Sequence, residues 1–306
     1  MKKIIFCGTA GFGLPALDVL KNKYEIQAIV TQPDKPSGRN KNLLSSAAKQ
    51  WAEKHGIKVW QPVKIIEILP ELVSSRPDLL LVAAYGQIIP KAVLEVPTFG
   101  AINIHGSLLP KYRGATPIQT AILEGESETG VTLIKMDEKM DHGPILSQAS
   151  LRIEPDDDYP ALYQKLADLA ASLTSKILDE WFEGKIEPRP QDESAATYTK
   201  FFFLPDGKIN WAEPALKIHK KILAFNPEPG AWTTFADKSV KILKAHVQES
   251  HLIDLPGKIH DLDRRLGVKS NDGFLILDLV QPAGKKPMSG SDFLNGLKDT
   301  NNKIFI

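Results

Sequence analysis

Asn103 and His105 stand two residues apart, immediately after the short apolar run Gly100-Ala101-Ile102. Side chains alternate across an extended backbone, so this spacing puts the amide and the imidazole on one side. If the apolar run is a buried strand ending here, both point into the crevice beyond its carboxyl end, where open α/β sheets hold ligands. An amide donor beside a group that titrates near neutrality suits a carbonyl whose oxygen gains negative charge. The pair alone is more simply what a hydrogen-bonded Asn and His fixing a loop would look like.

The longer run is more specific. From Asn103 it reads Asn-Ile-His-Gly-Ser-Leu-Leu-Pro-Lys-Tyr-Arg-Gly, ending at Gly114. It resembles the signature of the folate-dependent formyltransferases, NxHxSLLPxYRG, which is followed further on by an essential Asp in a DxG loop. Here that residue is Asp141, in Met140-Asp141-His142-Gly143-Pro144. The resemblance implies transfer of a formyl group from 10-formyltetrahydrofolate to an amine. It makes Asn103, His105 and Asp141 catalytic: the first two donate hydrogen bonds to the oxyanion, and Asp141 takes the proton of the attacking amine. It also implies that Ser107, Leu108, Leu109 and Pro110 line the folate pocket with the Tyr85-Gly86 turn. Neither a metal nor a covalent intermediate is required.

A second motif narrows the acceptor. The segment Gln32 to Asn42 has two prolines, one glycine, three cations and no apolar residue, so it belongs on the surface. A solvated linker would look like this too. It matches the insertion QPDxPxGR of the family members that act on methionyl-tRNA, in which the loop enters the acceptor stem. The resemblance makes Arg39 the key contact, with Lys35 and Lys41 beside it. It therefore implies methionyl initiator tRNA as partner and a part in translation initiation. Formyltransferases acting on amino sugar nucleotides or glycinamide ribonucleotide share the NxH…D core and are the alternative. An OB-type RNA-binding protein without activity is the third reading, and it conflicts with an intact Asn103, His105 and Asp141.

The elements that must position these groups follow from pattern. Lys3 to Cys7 is an apolar run broken by Gly8-Thr9-Ala10-Gly11-Phe12-Gly13, the strand, turn and helix start of a βαβ unit. The glycines run GxxGxG rather than GxGxxG, and Thr31-Gln32 stands where a ribose-binding acid would end the second strand, which argues against a dinucleotide site. Asp78 to Ala83 is almost wholly apolar, as a central parallel strand should be. Strands alternate with helices near 14–21, 45–55, 65–73 and 116–123, and a long helix closes at Gly184. Asp156-Asp157-Asp158 before that helix reads as capping rather than metal binding. These features predict a Rossmann-like, doubly wound α/β domain over 1–187.

Residues 188–206 read as a linker, interrupted by Phe201-Phe202-Phe203-Leu204, which should pin it to a domain. From 207 to 306, short β-rich runs (Trp232 to Phe235, Val240 to Leu243, Phe274 to Leu277) predict an OB-like β-barrel, after one helix near 214–224. The resemblance continues here through Asn226-Pro227-Glu228-Pro229-Gly230 and Lys285-Lys286-Pro287-Met288, and implies a tRNA-binding domain. Glu228 stands where the family often has tryptophan, His142 where it often has Ala or Thr, and Phe201 to Leu204 where it is more polar.

Bulk properties exclude other classes. The 306 residues suffice for two domains, 42% are hydrophobic, and no apolar run approaches a membrane span. A cytoplasmic monomer is expected. One cysteine, Cys7, leaves no internal disulfide or Cys-cluster metal site. Net charge is +1, but residues 207–306 carry 15 Lys/Arg against 11 Asp/Glu, an excess of +4 that leaves the rest net negative.

Overall fold

The structure is a computed structural model and describes residues 1–37, 42–297 and 303–306. The chain forms two compact units. The first comprises residues 1–117, 128–152 and 163–200; the second comprises 118–127, 153–162 and 201–306.

In the first unit, seven strands make one sheet: β1 (Lys3–Gly8), β2 (Glu25–Val30), β5 (Lys58–Trp60), β6 (Leu79–Ala83), β7 (Ala101–His105), β8 (Glu128–Lys135) and β9 (Ile145–Arg152), in the order β5-β2-β1-β6-β7-β8-β9. The five strands from β5 to β7 are parallel, and β8 and β9 continue the sheet antiparallel. Strand order reverses at β1, so the ligand crevice of such a sheet opens at the carboxyl ends of β1 and β6. All five residues of β6 are buried, as are Ile4, Ile5, Phe6 and Cys7, so the centre is covered on both faces. The helices along this part of the chain are α1 (Leu14–Leu20), α2 (Ala47–Lys54), α3 (Leu69–Ser75), α4 (Lys91–Leu94), α5 (Pro117–Glu124) and α6 (Tyr159–Phe182), of which residues 118–124 and 159–162 fall in the second unit. Of the Asp triplet, Asp158 caps α6 by accepting the Ala161 N–H and Asp157 closes the preceding turn by accepting that of Glu154, each at 3.0 Å. The opening glycines answer to packing, because a Cβ on Gly8 or Gly13 would run into the Phe6 ring.

Three elements differ from expectation. The polar loop after β2 is flanked by a two-stranded ladder, β3 (Lys35–Ser37) with β4 (Asn42–Leu44). The stretch expected to be a linker is hydrogen-bonded to the first unit up to Lys200: Arg189 and Ile145 exchange both backbone hydrogen bonds, and Arg113 does the same with Thr197 and Thr199. Of the four apolar residues that follow, Phe201, Phe203 and Leu204 are exposed. Only Phe202 packs, against Phe225 at a centroid distance of 4.9 Å.

The second unit starts its main body with α7 (Ala215–Phe225). There follow β10 (Ala231–Phe235), β11 (Lys238–Glu249), β12 (Ile259–Leu262), β13 (Arg265–Lys269), β14 (Gly273–Pro282), β15 (Met288–Ser289) and α8 (Gly290–Asn295). The antiparallel order is β10-β11-β14-β13-β12, with β15 also on β14. The C-terminus joins the two edges. Ile306 and Thr234 of β10 exchange backbone hydrogen bonds, while Lys303 accepts from Ile259 of β12 and Phe305 donates to Gly257. Phe305, 2% exposed, enters the apolar interior with Ile218, Ile242, Leu266 and Leu275. The result is the expected barrel, closed by its last four residues.

Candidate active site

β7 enters the sheet between parallel β6 and antiparallel β8, with Asn103 opposite Val82 and Ile134, and His105 opposite Thr132. Its last two odd-numbered side chains emerge on one face, as the spacing requires, and there they meet Asp141. Asn103 Nδ2 donates to Asp141 Oδ1 at 3.0 Å, and His105 Nδ1 lies 3.6 Å from Asp141 Oδ2. The His105 and Asp141 side chains are only 6% and 12% exposed, so the two groups face each other with little water around them. The other imidazole nitrogen, Nε2, is 2.9 Å from the Tyr112 carbonyl oxygen. A carbonyl only accepts, so Nε2 carries a hydrogen and Nδ1 is the nitrogen that faces Asp141.

The carboxylate is held from several directions. Gly114 N–H donates to Asp141 Oδ2 at 2.9 Å. Asp141 has φ +48°, left-handed backbone unfavourable for a residue with a Cβ. Two residues on, a Cβ on Gly143 would strike the Lys135 carbonyl at the end of β8, which explains the glycine of the DxG loop. Beside it, His142 Nδ1 is 2.5 Å from Asp137 Oδ2 and Nε2 is 3.6 Å from Glu193 Oε1.

Behind the loop lies Arg113, fully buried. Its Nη1 and Nη2 donate to Glu193 Oε2 and Oε1 at 3.0 and 2.6 Å, and Nη1 also donates to Tyr198 Oη at 3.2 Å. The hydrogen bonds with Glu193 hold the guanidinium above its ordinary pKa and the carboxyl below its own. Arg113 Nε and Nη2 both donate to Gln191 Oε1, at 3.1 and 2.8 Å. Gln191 Nε2 in turn donates to the carbonyls of Asp141 and Gly143, each at 2.8 Å. Gln191, Glu193 and Tyr198 were not among the expected site residues. They lie 78 to 85 residues beyond Arg113 in a stretch without periodicity. The available signal was a buried-type arginine inside a signature, which needs a carboxylate partner somewhere.

The residues expected to line a folate pocket separate into two groups. The Tyr85 ring is 2% exposed inside the core with Cys7 and Val82, and burial pushes its phenol pKa up. Ser107 is fully buried and donates to the Lys111 carbonyl at 2.7 Å, and Leu109 packs on Ile134 and Ile145. These three side chains face inward and shape the loop. Thr132 Oγ1 ties it to β8, donating to the Ser107 carbonyl at 2.6 Å and accepting the Leu109 N–H at 3.0 Å. Gln148 Nε2 holds the Leu109 carbonyl at 2.8 Å. Leu108 and Pro110 are half-buried, and Gly86, at φ +76°, is exposed at the end of β6. These offer surface to a ligand.

Of the expected tRNA contacts, Arg39 and Lys41 lie outside the described residues. Lys35 is exposed and donates to Gln32 Oε1 at 2.8 Å. The base of that loop is clamped. Asp34 Oδ2 binds Lys49 Nζ at 2.6 Å, and its Oδ1 accepts from Gln61 Nε2 at 2.8 Å. Gln32 Nε2 reaches the carbonyls of Tyr85 and Gly86 at 2.9 and 3.2 Å. Among the described residues no cluster of three or more His, Cys, Asp or Glu could hold a metal, and no helix is long and apolar enough to cross a membrane.

An amide, an imidazole and a carboxylate are thus gathered at the carboxyl end of β7 in a Rossmann-like sheet, in a chain whose later residues form an antiparallel barrel. Models of the formyl transferase domain and of the formyl transferase C-terminal domain match residues 2–178 and 205–298, and the chain belongs to the formyl transferase family. Within that family its similar relatives include methionyl-tRNA formyltransferases. The one from Hydrogenobaculum sp. is 41% identical over 99% of this chain and all of its own, and that of Dictyoglomus thermophilum 42% over 97% of each. Among solved structures, the N-formyltransferase of Helicobacter canadensis, in complex with folinic acid and dTDP-3-aminofucose, superposes with a TM-score of 0.68 at 22% identity. It covers 90% of this chain and 98% of its own. HypX from Aquifex aeolicus with tetrahydrofolic acid gives 0.67 at 17% over 96% of this chain, which spans 47% of HypX.

Proposed function

We infer that this chain formylates the α-amino group of methionyl initiator tRNA with 10-formyltetrahydrofolate as donor. The observation that carries this reading is the convergence of Asn103, His105 and Asp141 at one point, in a chain about 40% identical over its full length to methionyl-tRNA formyltransferases. The residues fit an N-formyl donor, since exposed Gly86 follows β6, half-buried Leu108 and Pro110 follow β7, and β7 itself carries Asn103 and His105, polar groups suited to one carbonyl. When bound, the folate supplies the formyl group.

The chain's own residues do the rest. Asn103 Nδ2 has two hydrogens; one is held by Asp141, and the second is aimed at the formyl oxygen as it gains charge. His105, its Nε2–H fixed on Tyr112, presents Nδ1–H to the same oxygen when it carries its second proton. Asp141 accepts the proton that the amine loses as its nitrogen bonds to the formyl carbon. The carbon–N10 bond breaks, its electron pair stays on N10, and the proton is returned there. The Arg39 loop, with Lys35 and Lys41, grips the acceptor stem, and the basic barrel adds phosphate contacts. Such a reaction belongs in the cytoplasm, and a monomer suffices for it.

The test is transfer from 10-formyltetrahydrofolate to three acceptors: methionyl initiator tRNA, an amino sugar nucleotide and glycinamide ribonucleotide. Formylation of the tRNA alone is expected. Transfer only to a small acceptor would reassign the substrate, and transfer to none would remove the enzymatic reading.

A further inference from the structure

We propose that Gln191 is a positioning residue for Asp141, a role that rests on the functional reading above. Its amide is read unambiguously by its neighbours. Nε2 faces two backbone carbonyls, which only accept, while Oε1 faces two guanidinium N–H groups, which only donate. The orientation is therefore fixed, and both amide hydrogens are used on the catalytic loop.

What they hold is a strained turn. Asp141 sits at φ +48° and Gly143 lies against the Lys135 carbonyl, so the loop has no regular ladder of its own to keep its shape. Gln191 grips the carbonyls on both sides of His142 and joins them to Arg113, a side chain with no exposure and with Glu193 as a second, independent anchor. The carboxylate itself is aligned from the front by Asn103 and Gly114. Gln191 fixes the backbone from behind, so that Oδ2 stays at its distance from His105 Nδ1. A misplacement of about 1 Å at such a group costs on the order of 10²-fold in rate.

Gln191→Glu separates positioning from mere structure. One carboxylate oxygen can still accept from Arg113, but the other replaces a double donor with an acceptor facing two carbonyls. The full-length variant should stay folded at the assay temperature with a lowered unfolding midpoint and keep its KM for both substrates within about threefold, while kcat falls by about 10- to 100-fold. Gln191→Met, similar in shape but without either polar end, serves as the second variant and should show the same split. Wild type and Asp141→Asn are assayed alongside. If both Gln191 variants retain kcat within about threefold while Asp141→Asn is inactive, the assignment is overturned and the functional reading stands. It is also overturned if kcat, KM and unfolding midpoint deteriorate together, since that is general destabilisation. An inactive wild type removes the functional reading and this inference with it.

Discussion

Asp141 is held by two separate sets of bonds, one at its carboxylate and one at its carbonyl, and substitutions should tell them apart. Asp141→Asn leaves the backbone clasp from Gln191 intact but removes the oxygen charge, and its amide turns a donor toward either the Asn103 or the Gly114 N–H. The variant should fold, losing about 1–3 kcal/mol from the mismatched bond. Formyl transfer should fall by roughly 10²–10⁴ through loss of the proton acceptor. Single-turnover kinetics beside a denaturation curve check both; activity within about threefold of wild type takes Asp141 out of the chemistry. The front of this cluster was legible in the sequence because an i, i+2 pair at a strand end has few places to point. Asp141 came from the signature. Its support was not legible, because Gln191, Glu193 and Tyr198 act through side-chain hydrogen bonds with Arg113 across 78 to 85 residues, which leave no local pattern. The inward turn of the Tyr85, Ser107 and Leu109 side chains was not legible for a related reason: a signature records which residues matter without recording which way each side chain turns.

At the scale of elements, the basic loop depends on its stem. Asp34 joins the start of the loop to Lys49 of α2 and to Gln61 beyond β5, and these bonds lower its pKa. Asp34→Asn should loosen the stem, so that more side chains must be ordered when RNA binds, at a cost of roughly fivefold in affinity. The KM for initiator tRNA should rise by that factor with kcat at saturating tRNA unchanged. A parallel rise in the KM for folate would instead assign the stem to the donor site. In the second unit, α7 carries His219, 8% exposed, whose pKa is lowered chiefly by burial. Backbone contact at Ala245 and the carboxylates Asp156 and Asp278 oppose that shift, and His246 adds to it. The unfolded chain therefore takes up a proton below the ordinary 6.5 that the folded unit resists. Stability should be constant above that pH, decline as pH falls toward the lowered folded pKa, and level off below it. His260 is lowered by burial as well, so His219→Gln should flatten part of the slope, which urea midpoints between pH 5 and 7.5 would measure. Patterning found the long buried strands and helices. It missed β12, β13 and α8, where charged turns such as Asp261-Leu262-Asp263-Arg264-Arg265 hide four- to six-residue elements that only barrel closure makes stable.

At the scale of the whole molecule, sequence order and compact units do not coincide, and this decides which experiment can locate RNA binding. Residues 118–127 and 153–162 belong to the second unit although they lie far ahead of the barrel in the chain. Cutting after Asp206 would therefore tear pieces from the second unit and leave them on the first, and a weak fragment would prove little. Charge substitutions in the intact chain avoid this. Residues 207–306 carry their net +4 in a protein of only +1, and Lys285 and Lys286 are exposed in the turn between β14 and β15. Each lysine that neutralises a phosphate releases condensed counterion, so tRNA affinity should fall steeply as salt rises. Replacing both with alanine should weaken binding and make the slope of log K against log salt shallower by about 2, one for each phosphate contact. Formyl transfer at saturating tRNA should be unchanged, because neither lysine lies in the first unit, where Asn103, His105 and Asp141 meet. Equilibrium binding at four salt concentrations gives the slope directly. An unaltered slope with full affinity would place the phosphate contacts elsewhere and leave this turn of the barrel with a structural part only.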